Sequence, residues 1–314
     1  MKLGIISDNR FIDDYQVNNE IHFTDWNSSP RYLLGRILLS PHFSHEVKLI
    51  QYKSNRASLE YYNFLKSCDY GIIHVDSTIR PNSLDNLIQQ LSSEYLLINR
   101  NISDIRKSTL HKLLKTCGLN TIDINSDADG DIIAFIKSDF NAGDTSKRLY
   151  KKCKYKDIPI SIINDPSLII QRYIKEIITP ENYYRLRRFI IVGQEIVQVE
   201  FFSKNFVIKR STSFWQYSRN IKNLNSDLTF FETPNISELG YHFIDFNKIS
   251  SQFITMLNFI KNIGFEFGAI DVITPTFDEL YILDINSTPW ERGIPSSLIK
   301  ILSHSFEKMV KDKQ

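Results

Sequence analysis

A chain of 314 residues with 42% hydrophobic and 12% aromatic content is long enough for two or three packed units and too apolar for extended disorder. Its 38 basic and 36 acidic residues leave a formal net charge of +2, which excludes a global field selecting for nucleic acid or an anionic membrane, so any anion must be held by a local cluster. Cys68, Cys117 and Cys153 are isolated and form neither a disulfide framework nor a zinc spacing, Met1 to Arg10 lacks a signal-peptide core, and no apolar run has the length of a span, so the expectation is a cytoplasmic protein with structural thiols, no nucleic-acid partner and no membrane partner.

The first hundred residues alternate two patterns. Lys2 to Ser7, Val47 to Tyr52, Tyr70 to Val75 and Tyr95 to Asn99 are strand-length runs, and Arg31 to Leu39, Leu59 to Lys66 and Asn82 to Leu91 between them have helical spacing. This rhythm predicts a mostly parallel sheet covered by helices, with ligand binding available at the carboxyl ends of its strands. No GxGxxG fingerprint is present, so a dinucleotide role has no support. Past Ile102, Ser103-Asp104 reads as the cap of a helix running through Leu114, with Ile105, Leu110, Leu113 and Leu114 apolar and Cys117-Gly118 as its stop. A strand from Ile132 ends in Lys137 and enters the polar loop Ser138 to Asp144, and Leu168 to Ile174 predicts a further strand. Tyr184 to Val192, the turn Gly193-Gln194 and Glu195 to Phe202 predict an antiparallel hairpin. A short strand, Phe206 to Ile208, precedes Lys209-Arg210, a helix is predicted over Asn247 to Lys261, and a basic helix over Ser297 to Lys311.

The densest chemistry lies between Gly268 and Pro289. Ala269 to Ile273 and Tyr281 to Asn286 read as paired strands, with Pro275, Phe277 and Asp278 marking the turn. Asp284 and Asn286 then share a face, and Asp271 faces them from the neighbouring strand. Two carboxylates and an amide suit a magnesium ion that keeps waters and substrate phosphates in its other positions. The alternative is that the carboxylates are satisfied by nearby arginines or backbone donors. Lys137, at a strand end before a loop, suits a phosphate contact or a plain solvated lysine. Gln171, Arg172, Tyr173 and Ile174 would form a link whose backbone reads an adenine edge, or a plain core strand. Glu176 is a candidate for ribose hydroxyls or a surface carboxylate. Arg188 shares a face with Ile190 and Val192 and so requires an anion, which a triphosphate, a carboxylate substrate or a protein carboxylate would supply. Arg185 and Arg187 are expected to be exposed, and Lys209-Arg210 brings a second cation to the same cleft or forms an exposed pair. Seven histidines show no HExxH spacing, and neither GxSxG nor a Walker motif occurs, which disfavours a zinc enzyme, a serine hydrolase and a P-loop ATPase.

Taken in order, five stretches resemble the ATP-grasp superfamily. They are Ile98-Asn99-Arg100 leading into Ser103 to Ser108, Phe135 to Gly143, Ile169 to Ile174, Arg187 to Gly193, and Asp271 with Asp284-Ile285-Asn286-Ser287-Thr288-Pro289. Within it, the chain looks most like the glutathione-synthetase-like and ribosomal-protein-glutamate-ligase-like carboxylate–amine ligases. The resemblance implies an α/β and α+β protein with three units. These are an N-terminal parallel-sheet (pre-ATP-grasp) domain over 1–101, a small ATP-grasp lid subdomain over 102–175 and a C-terminal ATP-grasp subdomain with the metal site over 176–314. It further implies that Lys107 and Lys137 contact phosphates, Gln171 to Ile174 form the adenine hinge, Arg188 lies near the phosphates and acyl group, and Asp271, Asp284 and Asn286 hold Mg2+. The reaction implied is ATP-dependent activation of a small-molecule or peptide carboxylate as an acyl phosphate followed by attack of an amine. A kinase and a nucleotide-binding regulatory protein without turnover remain as alternatives on the same fold. Three departures from the family pattern stand out: Asp284 in place of the usual glutamate, a single glycine in the phosphate loop, and Leu186 where an acidic residue is usual. Substrate specificity is expected from the N-terminal domain and from Ser203 to Thr233, where Trp215, Tyr217, Arg219 and Asn220 would form a pocket edge, a mobile lid or a homodimer contact. Glu291 and Arg292 are weaker substrate candidates.

Overall fold

The computed structural model describes residues 1–20, 30–122, 124, 130–140, 151–174, 184–203, 215–222, 229–230, 250–275, 279–290, 294 and 296–313. Its first unit is a four-stranded parallel sheet of order β2-β1-β3-β4, formed by β1 (Lys2–Ser7), β2 (Glu46–Gln51), β3 (Tyr70–His74) and β4 (Leu97–Ile98). Its connections carry the predicted helices α2 (Leu33–Leu38), α3 (Ser58–Lys66) and α4 (Asn82–Gln90), and in addition α1 (Asn9–Glu20), which the periodicity did not predict. Asp8 accepts the Phe11 amide at 3.1 Å and so starts α1, whose Phe11 is fully buried. At Gly4 and Gly71, α3 comes so close that an added Cβ would stand 2.9 Å from the Cys68 sulfur and 2.8 Å from Leu65, respectively.

The second unit is a six-stranded antiparallel sheet of order β11-β10-β9-β8-β12-β13. It contains the expected hairpin of β8 (Tyr184–Val192) and β9 (Glu195–Ser203), turned at Gly193 with φ 60°. Next to β8 lie β12 (Phe267–Ile273) and β13 (Tyr281–Asn286), and next to β9 lie β10 (Trp215–Lys222) and β11 (Thr229–Phe230). Strand alternation divides the core between the two faces of this sheet. Ile190, Val192, Val197, Val199, Phe267 and Ala269 pack with Leu302 and Phe306 of α8 (Ser296–Lys311) and with residues of the parallel sheet. Phe189, Ile191, Ile196, Ile270 and Val272 pack on the other face with Phe253, Met256 and Phe259 of α7 (Ser250–Asn262) and with Leu110 and Leu114 of α5 (Lys107–Thr116). Leu113, expected on the apolar face of α5, is 41% exposed.

The third unit is a small antiparallel sheet, order β6-β5-β7, of β5 (Ile133–Ser138), β6 (Lys151–Lys154) and β7 (Leu168–Arg172), with the one-turn α6 (Ile160–Ile163). Ala134, Ile136 and Ile158 form its core. Asn99 ties the units together. With φ 58° it lies in the left-handed region, and its buried side chain donates to the Phe267 carbonyl at 2.6 Å and accepts the amides of Glu266 at 2.8 Å and Phe267 at 3.0 Å. The carboxyl ends of the parallel strands meet the segment after β13, where the Leu33 amide donates to Pro289 O at 3.0 Å and Thr288 Oγ1 lies 3.4 Å from Asp76 Oδ1. No described helix is long and apolar enough to cross a membrane.

Candidate functional site

The β12–β13 pair places Asp271, Asp284 and Asn286 by an irregularity that the sequence reading did not include. Ile273 pairs with Tyr281 and Val272 with Ile282, after which the register shifts so that Asp271 pairs with Asp284 and Ala269 with Asn286. Leu283 is the extra residue of a β-bulge. Regular alternation would have set Asp284 opposite Ile270, on the far face. With the bulge, Ile282 and Ile285 both reach the core beneath α7 while Asp271, Asp284 and Asn286 emerge together on the other face. The bulge also frees a carbonyl, and Leu283 O accepts Lys137 Nζ at 3.3 Å. At Gly268, with φ 151°, an added Cβ would lie 2.4 Å from Asn286 O, so only glycine lets these strands approach so closely.

Two lysines converge here from different units. Lys107, the first residue of α5, is 5% exposed and sets Nζ 3.6 Å from Asp284 Oδ2 and 3.2 Å from Phe140 O. The helix start is held by Asp139, which accepts the Ser108 amide at 2.7 Å and its hydroxyl at 2.6 Å. This corrects the expectation that Ser103-Asp104 caps the helix, since Asp104 accepts the amide of Arg106, the residue before it, at 2.9 Å. Lys137 stands near the end of β5 and is 8% exposed. Burial pulls its ammonium down to about 8, with Lys107 adding to the fall and Asp284, Asp271 and Asp139 opposing it.

Arg188 completes the cluster by donating from Nε to Asp271 Oδ1 at 2.6 Å and from Nη2 to Oδ2 at 2.9 Å. Of the three anions open to it in the sequence, the protein carboxylate is the one it contacts. Arg187 is a correction: expected exposed, it is 1% exposed and bonded at 2.8 Å to buried Glu200, which also accepts Gln198 Nε2 at 2.6 Å. It lies on the opposite face from Arg188, the one covered by α7. Within the proposed hinge, Gln171 and Tyr173 alternate with exposed Arg172. The amides of Arg172 and Tyr173 already donate to Ile122 O at 2.6 Å and Ile133 O at 2.8 Å, so a base edge would have to meet other groups of this segment. Glu176, Lys209, Arg210, Glu291, Arg292, 141–144 and 277–278 lie outside the described residues, as do the side chains of Arg185, Trp215, Tyr217, Arg219 and Asn220.

The donor set fits magnesium by chemistry. Asp271 and Asp284 are partly exposed, 17% and 24% by side chain, and each of their oxygens keeps lone pairs beyond the contacts above. Asn286 Oδ1 is oriented by the Thr288 amide at 2.8 Å. Among the described residues no three of His, Cys, Asp and Glu gather as a metal site, so a metal held here would need an amide such as Asn286 beside the two carboxylates.

Comparison with solved structures defines the fold. D-alanine–D-alanine ligase from Bacillus anthracis shares 12% identity over 100% of this chain and 98% of that one, with a TM-score of 0.53. The ATP-grasp ligase PsnB complexed with a minimal precursor shares 11% over 96% and 99%, with a TM-score of 0.52. The D-cycloserine synthetase DcsG shares 8% over 98% and 100%, with a TM-score of 0.50. The chain therefore has the ATP-grasp fold, a mixed α/β architecture whose described residues form one parallel and two antiparallel sheets. No protein-family model matches the sequence, nor does any curated protein.

Proposed function

We propose that the protein is an ATP- and Mg2+-dependent carboxylate–amine ligase that forms an amide or peptide bond through an acyl phosphate and releases ADP and phosphate. The observation that carries this reading is the convergence of Lys107, Lys137 and Arg188 on the bulged carboxylate pair Asp271 and Asp284. Cations from three elements, α5, β5 and β8, around two metal-competent carboxylates suit a polyphosphate that must be gripped and neutralised, whereas acid–base chemistry would call for a poised histidine. Similar folds support the choice, since PsnB has been solved with a phosphomimetic precursor variant, Mg and ADP.

In this reading 102–175 closes as a lid over 176–314, with 1–101 contributing to substrate recognition. Bound MgATP would supply the phosphoryl group that activates the substrate carboxylate. Lys107 and Lys137 hold phosphate oxygens, and phosphate binding favours the charged form of the buried Lys137. Asp271, Asp284 and Asn286 hold the metal. Arg188, held by Asp271, lies near the phosphates and acyl group as a cation, with Lys209 as a second. Gln171 to Ile174 and Glu176 hold the nucleoside.

The test is ATP turnover with magnesium across pooled carboxylates and amines, reading ADP against AMP, with Asp284→Ala as control. ADP release requiring both pools and lost in the variant is expected. Release with the carboxylate pool alone, yielding a stable phosphorylated product, would replace the ligase with a kinase, and AMP would overturn the acyl-phosphate chemistry. Saturating MgATP should also raise the unfolding free energy by about 3 kcal/mol at a hundredfold excess over Kd.

A further inference from the structure

His111 has no task in the site as described. It is fully buried, and on α5 it stands one helical turn after Lys107, on the same face. Its Nε2 lies 2.6 Å from Nε2 of Gln171 on β7. Gln171 is 1% exposed and shares a sheet face with Lys137, because Phe135 pairs with Gln171 and Lys137 with Ile169. One imidazole therefore connects the helix presenting Lys107 to the strand pair presenting Lys137 and the hinge.

The contact needs one proton between its two partners. Either the amide N–H donates to a bare ring nitrogen or, with the amide turned over, the ring N–H donates to the amide oxygen. Burial, followed by the charges of Lys137 and Lys107, pushes His111 down to about 4, so near neutral pH it adds no third cation. In the observed orientation, with the amide nitrogen of Gln171 toward the ring, Gln171 Oε1 is buried without a hydrogen-bond partner among the described residues. A buried acceptor left empty is costly, which makes it a place for an incoming N–H. An amino-bearing purine brings such a donor, and an oxo-bearing purine brings a second acceptor.

We propose that His111 is a positioning residue for the nucleotide. By holding the Gln171 amide in one orientation from the Lys107 helix, it sets the hinge and the phosphate lysines in one register and favours an amino-bearing over an oxo-bearing purine. This rests on the nucleotide site proposed above. His111→Gln returns an amide near the position of Nε2, whereas His111→Leu keeps volume without a polar atom. MgATP and MgGTP affinities would be measured by calorimetry beside the melting temperature. His111→Leu is expected to weaken MgATP binding about tenfold and to narrow the ATP-to-GTP ratio, while His111→Gln keeps both. In a Gln171→Leu background His111→Leu should add no further loss.

Wild-type-like MgATP binding by His111→Leu would overturn the proposal, as would equal losses in both variants tracking the melting temperature, or full additivity with Gln171→Leu. Should His111→Leu fail to fold, His111→Asn, whose amide reaches only the Nδ1 position, should lose affinity where His111→Gln keeps it, and equal behaviour would overturn the idea. A wild-type chain that binds no MgATP removes this inference together with the ligase reading. Intact binding that is indifferent to His111 removes this inference alone.

Discussion

Arg187 and Arg188 are adjacent and chemically identical, yet they end on opposite faces of one sheet. Period-two alternation, visible in Arg188, Ile190 and Val192, assigned Arg188 to an inward face. What it could not supply was the partner of Arg187. Glu200 lies 13 residues away, across the hairpin, and neither residue shows its burial in its neighbours. The two arginines should respond differently to mutation. Glu200→Ala removes the carboxylate bonded to Arg187 in a dry core and is expected to cost about 3–5 kcal/mol in urea denaturation. Arg188→Ala removes a pair that is 19% and 17% exposed, so it should cost less stability while impairing nucleotide-dependent turnover. Equal destabilisation by the two variants would contradict this division.

Among the elements, β13 shows how one residue converts an ordinary strand into a site. Ile282 and Ile285 are three apart and both buried beneath α7, which a regular strand cannot achieve. That spacing was legible in the sequence as a sign of a bulge, although alternation alone was applied to it. Deleting Leu283 should restore regular pairing with Asp284 still opposite Asp271, and should remove the extra carbonyl that accepts Lys137 Nζ. The expected outcome is retained strand content by circular dichroism together with weakened MgATP stabilisation in a thermal shift, and a deletion variant that still binds MgATP like wild type would refute the role of the bulge carbonyl. Other elements were missed for a different reason. α1 is polar over much of its length, and β6 is a lysine-rich edge strand paired on one side, so neither carries a clear apolar period. The β8–β9 hairpin carries a strong one and was legible nearly to the residue.

Among the described residues, burial holds His74 and His111 uncharged in the folded molecule. His74, fully buried among Phe11, Tyr32 and Phe267, is pushed down to about 4 by burial, with Asp8 opposing. His111 is pushed to about 4 for the reasons given above. Their ordinary value is 6.5, so between pH 6.5 and about 4 the unfolded chain binds protons that the folded chain refuses. Stability is therefore complete above the upper limit and falls with pH through that window, by up to about 3 kcal/mol per histidine. Urea denaturation at stepped pH should show this slope, and His74→Leu should flatten its share. A variant with an unchanged slope would show that His74 titrates normally in the folded chain.

The order of patterns along the chain determined the kinds of units, because strand alternation, helical spacing and turn residues act over a few neighbours. It also placed Asp271, Asp284 and Asn286 on adjacent strands and Lys137 near a strand end. Tertiary structure alone decided which of those groups meet. Lys107 reaches Asp284, Lys137 reaches the Leu283 carbonyl and His111 reaches Gln171 only because the six-stranded and the three-stranded sheets both meet α5. Contacts between residues separated by 146 or 60 positions depend on a whole core closing at once, and no local pattern records that.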